Sequence, residues 1–222
     1  AELDFSFACL ALSAANFQAL GALCRLGRAA ALIVGDWRET VGGPWPLLLG
    51  DGALNMLPLA DWPAALSNWR RSLRRDGALV HRFYSWREGA APDGVRPTLS
   101  ELEGAIAAGR ARGLGFDQAA AYELYRRVVR ADSWTVDFAD FAAEVRRLHE
   151  RGAVTSDELR AHDFVFVQSA AGLRISVPPR GVIEELVGAA GFRVAQVRTA
   201  GDDLPFHADC PIYLLAAAER LP

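Results

Sequence analysis

The chain has 222 residues, a formal net charge of -3 from 24 Lys+Arg against 27 Asp+Glu, and 51% hydrophobic side chains. That length and balance describe one globular domain carrying an insertion, and they argue against a nucleic-acid backbone as the main partner. No apolar run approaches the roughly 20 residues that span a bilayer, and the absence of Lys excludes Schiff-base chemistry on a lysine.

Phe5 to Leu12 reads as a strand, and Ser13 is the candidate N-cap of a helix running to about Arg25, with Gly27 ending it. A strand over Ala30 to Val34, the Gly42-Gly43-Pro44 turn and a strand over Leu47 to Leu49 follow. Both of these strands break at Gly-Asp, at Gly35-Asp36 and Gly50-Asp51. A continuous apolar run closed by a turn reads as a strand buried on both faces, as in a parallel sheet. Asp61 to Arg74 is an amphipathic helix, with Asp61 as cap, Pro63 in the first turn, and Leu66, Trp69 and Leu73 on one face. Arg75-Asp76-Gly77 ends it, and Ala78 to Tyr84 is the next strand. The order strand, helix, strand, strand, helix, strand predicts an α/β fold: a Rossmann-like, doubly wound and mostly parallel sheet.

The character changes after Ser85. Glu88 to Pro97 is a polar loop, and Leu99 to Arg112, Phe116 to Arg130 and Phe138 to Arg151 carry helical periodicity with Arg-rich outer faces. The block interrupts the alternation and predicts a helical lid inserted over the sheet. A helix over Arg180 to Ala190, ended by Gly191, restores the alternation. Strands over Phe192 to Thr199 and Ile212 to Ala218 follow, and the Gly201-Asp202-Asp203 loop suits an antiparallel hairpin. Residues 1–87 and 178–222 are thus the expected core, and 88–177 the expected insertion.

Ligands of open α/β sheets sit at the carboxyl ends of the strands. Asp36 and Asp51 fall at two such ends, where carboxylates accept from the hydroxyls or amines of a ligand. Trp37 could stack on a ring, Gly52 would let the backbone come close, and Asn55 could add an amide contact. His81, Arg82 and Tyr84 alternate at the end of their strand; His81 is a general-base candidate, with a hydrogen-bonded structural histidine as the alternative. Trp134, Tyr122 and Tyr125 either roof a substrate pocket or pack in a core. His149, His162 and His207 lack metal-like spacing, so no metal is expected. Cys9, Cys24 and Cys210 are odd in number and read as reduced thiols. The opening AELDFSFACL has no basic region of a signal peptide, so a cytoplasmic location is expected.

Leu12-Ser13, the stretch Gly35 to Glu39, the stretch Leu47 to Pro58, the unit Trp69 to Phe83 and the closing hairpin together resemble the class I S-adenosylmethionine-dependent methyltransferases. In the fourth of these, Leu73-Arg74-Arg75-Asp76-Gly77-Ala78-Leu79 is similar to the family's turn between helix and strand. The resemblance implies methyl transfer from S-adenosylmethionine to a small-molecule acceptor, with His81 and Tyr84 as catalytic candidates. It implies cofactor contacts from Ala11, Leu12, Ser13, Asp36, Trp37, Gly50, Asp51, Gly52 and Asn55. The family's glycine-rich loop has no counterpart, and its ribose-binding acid falls at Ala11, with Asp4-Phe5-Ser6 as another alignment. An N-terminal strand and glycine loop, one βα unit of ~30 residues or more, are therefore expected upstream of Ala1. Two alternatives stay open: a degenerate methyltransferase serving as a binding or scaffold protein, and a nicotinamide-dependent oxidoreductase. The latter commonly needs a Tyr-x-x-x-Lys pair, which a chain without Lys does not provide. A homodimer is also left open.

Overall fold

A computed structural model describes residues 7–11, 30–34, 36, 38–39, 42–86, 96–199 and 210–218. Strands β1 (Phe7–Ala11) and β2 (Ala30–Val34) pair in parallel. A four-stranded sheet follows the order β3-β4-β8-β7, built from β3 (Trp45–Asp51), β4 (Leu73–Arg82), β7 (Phe192–Arg198) and β8 (Ile212–Ala217). In it β3 and β4 are parallel, while β8 runs antiparallel to both β4 and β7. The fold is mixed α/β, with parallel strands closed by the expected antiparallel hairpin. The predicted helix over Ser13 to Arg25 and the Gly201-Asp202-Asp203 turn lie outside the described residues.

Helix α1 (Trp62–Ser72) starts where the sequence predicts, yet the Asp61 side chain caps nothing. It accepts from Arg38 Nη1 at 2.8 Å instead. The helix also stops early: β4 begins at Leu73, so Arg75-Asp76-Gly77 lies inside a strand rather than in a turn. A register shift opposite Trp45 and Leu47 takes up these residues. Extended backbone at Leu73 (ψ 148°) lets its side chain stay buried without continuing the helix.

Only one face of the four-stranded sheet is covered by helices among the described residues. Leu48, Leu79, Phe83, Tyr213 and Leu215 pack there with Trp62, Leu66 and Trp69 of α1 and with Ile183 and Val187 of α7 (Arg180–Ala189). On the other face Leu47 is 47% and Leu49 75% exposed. The expectation that β3 is buried on both faces is therefore corrected. An apolar run of three residues does not distinguish burial on one face from burial on two.

The block between β4 and α7 holds α2 (Leu99–Ala111), α3 (Phe116–Val128), α4 (Phe138–Glu150), α5 (Ser156–Ala161) and α6 (Phe164–Ala170). It also contains a small antiparallel pair, β5 (Thr135–Asp137) with β6 (Arg174–Ser176), which the sequence analysis did not expect. Reciprocal capping boxes start α2 at Thr98/Glu101 and α5 at Thr155/Glu158. The helices bury their own core, Leu102, Ile106, Leu124, Phe141, Val145 and Leu148 among it. That core also takes in Trp86, Tyr84 and Met56, which follow the carboxyl ends of β4 and β3. The block thus packs on the strand-end side of the sheet.

Candidate functional site

The ends of β3 and β4 meet at Asp51, Gly52, Arg82 and Tyr84. The N–H of Gly52 donates to the Arg82 carbonyl at 2.9 Å, tying the turn after β3 to its neighbour. Gly52 has φ +62°, and a Cβ there would lie 2.9–3.0 Å from the Tyr84 ring, so only glycine suits this corner. Arg82 forks onto Asp51, with Nε to Oδ1 at 2.6 Å and Nη2 to Oδ2 at 2.8 Å. The Asp51 side chain is nevertheless 67% exposed, and each oxygen has accepting capacity left. Burial, then the nearby Asp51 carboxylate, holds the Tyr84 hydroxyl above its ordinary pKa, with Arg82 opposing. Tyr84 is a proton donor at neutral pH, not a base.

Beyond Tyr84, the rings of Tyr84, Trp86, Tyr122 and Tyr125 enclose a cavity of about 10 Å³ with Ser85, Val177 and Cys210. That is room for one water-sized sphere. Trp86 stands 5.5 Å from Tyr122 and 5.9 Å from Trp134, centroid to centroid. Trp134 adopts φ 52°, a left-handed backbone that a bulky residue rarely takes. Its carbonyl accepts from the Val177 N–H at 2.8 Å, linking it to the cavity wall. Tyr125 is half-buried, and desolvation raises its pKa. Among the described residues the wall contains no charged side chain.

His81 sits elsewhere. It is fully buried on the helix-covered face, its ring 5.6 Å from Trp69 and 4.2 Å from Phe83. A Cβ on Gly50 would overlap the imidazole, so Gly50 is where the ring fits against β3. Nε2 accepts a long 3.4 Å bond from the Leu54 N–H, and Nδ1 has no partner among the described residues. Desolvation pushes its pKa down to about 3. A neutral imidazole sealed in the core has no path to a substrate, and the geometry supports the structural alternative for this residue.

Asn55 is also fully buried. Its amide donates to the Tyr84 carbonyl at 2.8 Å and the Ser176 carbonyl at 2.6 Å, and its oxygen accepts from the Tyr84 N–H at 3.0 Å. Both amide hydrogens are committed to protein carbonyls, so none remains for a ligand. Asp36 follows β2 and receives the Arg38 backbone N–H at 2.8 Å and Arg38 Nε at 2.9 and 3.0 Å, with Arg38 Nη2 on the same carboxylate. These hydrogen bonds hold its pKa below the usual carboxylate range. Ala11 ends β1. Leu12, Ser13 and Trp37 lie outside the described residues.

The structure therefore brings Asp51, Gly52 and Tyr84 together and separates them from His81. Ser176, Val177 and Trp86 were not expected at the site, nor was Arg38 as the partner of Asp36. Ser176 and Val177 sit at the end of a three-residue strand, too short for period-two alternation to register. The Pro178-Pro179 pair that follows was the available signal of a boundary.

No family model matches the chain, and no curated protein matches it. Solved structures do share the fold. A SAM-dependent methyltransferase from Methanosarcina mazei aligns at 8% identity and TM-score 0.52, over 95% of this chain and 81% of its own. A Rhodobacter sphaeroides protein named for Zn-dependent alcohol dehydrogenases aligns at 14% and 0.54, over 95% and 75%. The mitomycin 7-O-methyltransferase MmcR aligns at 13% and 0.50, and this chain spans only 41% of its length. At such identities the likeness establishes the fold, a Rossmann-like one found in methyltransferases, and not the chemistry performed on it.

Proposed function

We propose that the chain binds S-adenosylmethionine at the carboxyl ends of β2 and β3 and methylates a small-molecule acceptor beneath the helical block. One observation carries the reading: on a fold shared with methyltransferases, an exposed Asp51 and a side-chain-free Gly52 adjoin Tyr84, which packs against the helical block. The donor chemistry fits. S-adenosylmethionine offers an ammonium group, ribose hydroxyls and an exocyclic amine, all of them donors, and the strand ends present carboxylates. Asp51 is the principal acceptor in this reading. Asp36 takes part only if Arg38 yields part of its fork.

The cofactor, when bound, supplies a methyl already activated on a sulfonium. The chain's own residues then have three tasks: to orient, to exclude water and to stay out of the way. Asp51, held by Arg82, fixes one end of the ligand. Tyr84 and the uncharged wall of Trp86, Tyr122, Tyr125 and Val177 shield the acceptor side. Residues 88–177 act as a lid on a core formed by the rest of the chain.

Calorimetric titration with S-adenosylmethionine and, separately, NADH tests the proposal. Saturable heat with the first and none with the second is expected. Binding of NADH alone would overturn it in favour of an oxidoreductase.

A further inference from the structure

A buried hydrogen-bond pair joins the helical block to the turn after β3. The 3₁₀ turn Leu54–Met56 is separated from Gly52 by Ala53 alone, and Asn55 within it reaches across to the Ser176 carbonyl. Ser176 answers with its own hydroxyl, donating to the Leu57 carbonyl at 2.8 Å. Ser176 is 1% exposed and Asn55 0%, so these bonds act without competing water. The same Asn55 amide grips both the N–H and the carbonyl of Tyr84.

On the other side of Ser176, the chain forms the pocket. Val177 is part of the cavity wall, and the next carbonyl, Pro178, accepts from the Trp86 N–H at 3.0 Å. Segment Ser176 to Pro178 is thus held by the turn after β3 at one residue and by the end of β4 two residues later. Val177 is joined to Ser176 by the backbone and Trp86 to Pro178 by a backbone hydrogen bond, so a movement of Ser176 with the turn carries both of them.

We propose that Asn55 and Ser176 are positioning residues that couple occupancy at Asp51 and Gly52 to the shape of the aromatic cavity. Ligand held at the strand end is transmitted through the Asn55–Ser176 latch to Val177 and Trp86, and so sets the acceptor wall. This rests on the proposed S-adenosylmethionine site. Coupling of this kind is a free energy shared by two sites and is visible as ordering away from the ligand.

The test is hydrogen exchange read by mass spectrometry on the full chain, with and without S-adenosylmethionine. Three proteins are compared: wild type, Ser176→Ala, and Thr98→Ala. The last removes the capping hydroxyl of α2 in the same block without touching the latch. In wild type the ligand should slow exchange about tenfold both at Gly50 to Leu57 and at Arg174 to Val177. Ser176→Ala removes the hydroxyl bond to Leu57 and leaves the Asn55 bond to the Ser176 carbonyl, so it should keep the first effect and weaken the second, whereas Thr98→Ala should keep both. A general loosening of the lid would instead erase the second effect in both variants and overturn the proposal. So would protection of the turn alone in wild type, a result that does not depend on how either variant folds. No protection anywhere, with no heat of binding, would refute the S-adenosylmethionine site itself rather than the latch.

Discussion

His81 shows how a residue can carry the right chemistry in the wrong place. An ordinary histidine has a pKa near 6.5, and alternation puts His81 beside Arg82 near the end of a strand. The pleat then turns the two side chains to opposite faces, Arg82 toward Asp51 and His81 under α1 between Trp69 and Phe83. The consequence is for stability rather than catalysis. With a folded pKa of about 3, the native state binds fewer protons than the unfolded chain between that value and about 6.5. Stability contributed by the neutral imidazole is therefore present above about pH 6.5 and lost as pH falls, at up to about 1.4 kcal/mol per pH unit. His81→Leu should flatten the pH dependence of thermal unfolding between about pH 6.5 and 5.5, above the range where most carboxylates titrate. Parallel curves for variant and wild type would show that burial of this group is not what sensitises the fold to acid.

Among the elements, strands announced themselves better than their surroundings did. β2 spans Ala30–Val34 as read from the sequence, and β3, β7 and β8 lie where apolar runs or alternation place them. The four long helices of the second half were also legible, from periodicity and from Gly191 (φ +82°) at the end of α7. Less legible was the join between α1 and β4. Arg75-Asp76-Gly77 has the composition of a turn, and tertiary pairing of Leu73 with Trp45 overrides it. Burial was misread at β3 for a related reason: Leu47, Leu48 and Leu49 look alike in sequence while the pleat gives them different environments. That difference can be measured. Leu49→Gln should change stability by no more than about 0.5 kcal/mol, the range of exposed sites. Leu79→Ala, in the covered core, should cost about 2–5 kcal/mol. Chemical denaturation compares the two directly, and a large loss at Leu49 would mean that its side chain is covered in solution.

For the molecule as a whole, two apolar cores meet at the strand ends: one between the sheet and α1 with α7, the other inside the helical block with Trp86. The general location of the proposed site follows from the α/β pattern, since the carboxyl ends of parallel strands are where such sheets bind ligands. The arrangement of its residues does not. Asp51 and Gly52 are visible because a glycine beside a carboxylate closes an apolar run. Ser176 was not, because its place beside Leu57 depends on a contact between residues far apart in the chain. Asn55 was noticed for its amide but not for the partners that consume it. The structure of the protein in complex with S-adenosylhomocysteine tests the central claim most directly. The ligand is expected at the ends of β2 and β3, with a donor within about 3.2 Å of an Asp51 oxygen and its sulfur facing Tyr84. A ligand bound elsewhere on the molecule, leaving Asp51 and Gly52 uncontacted, would contradict it.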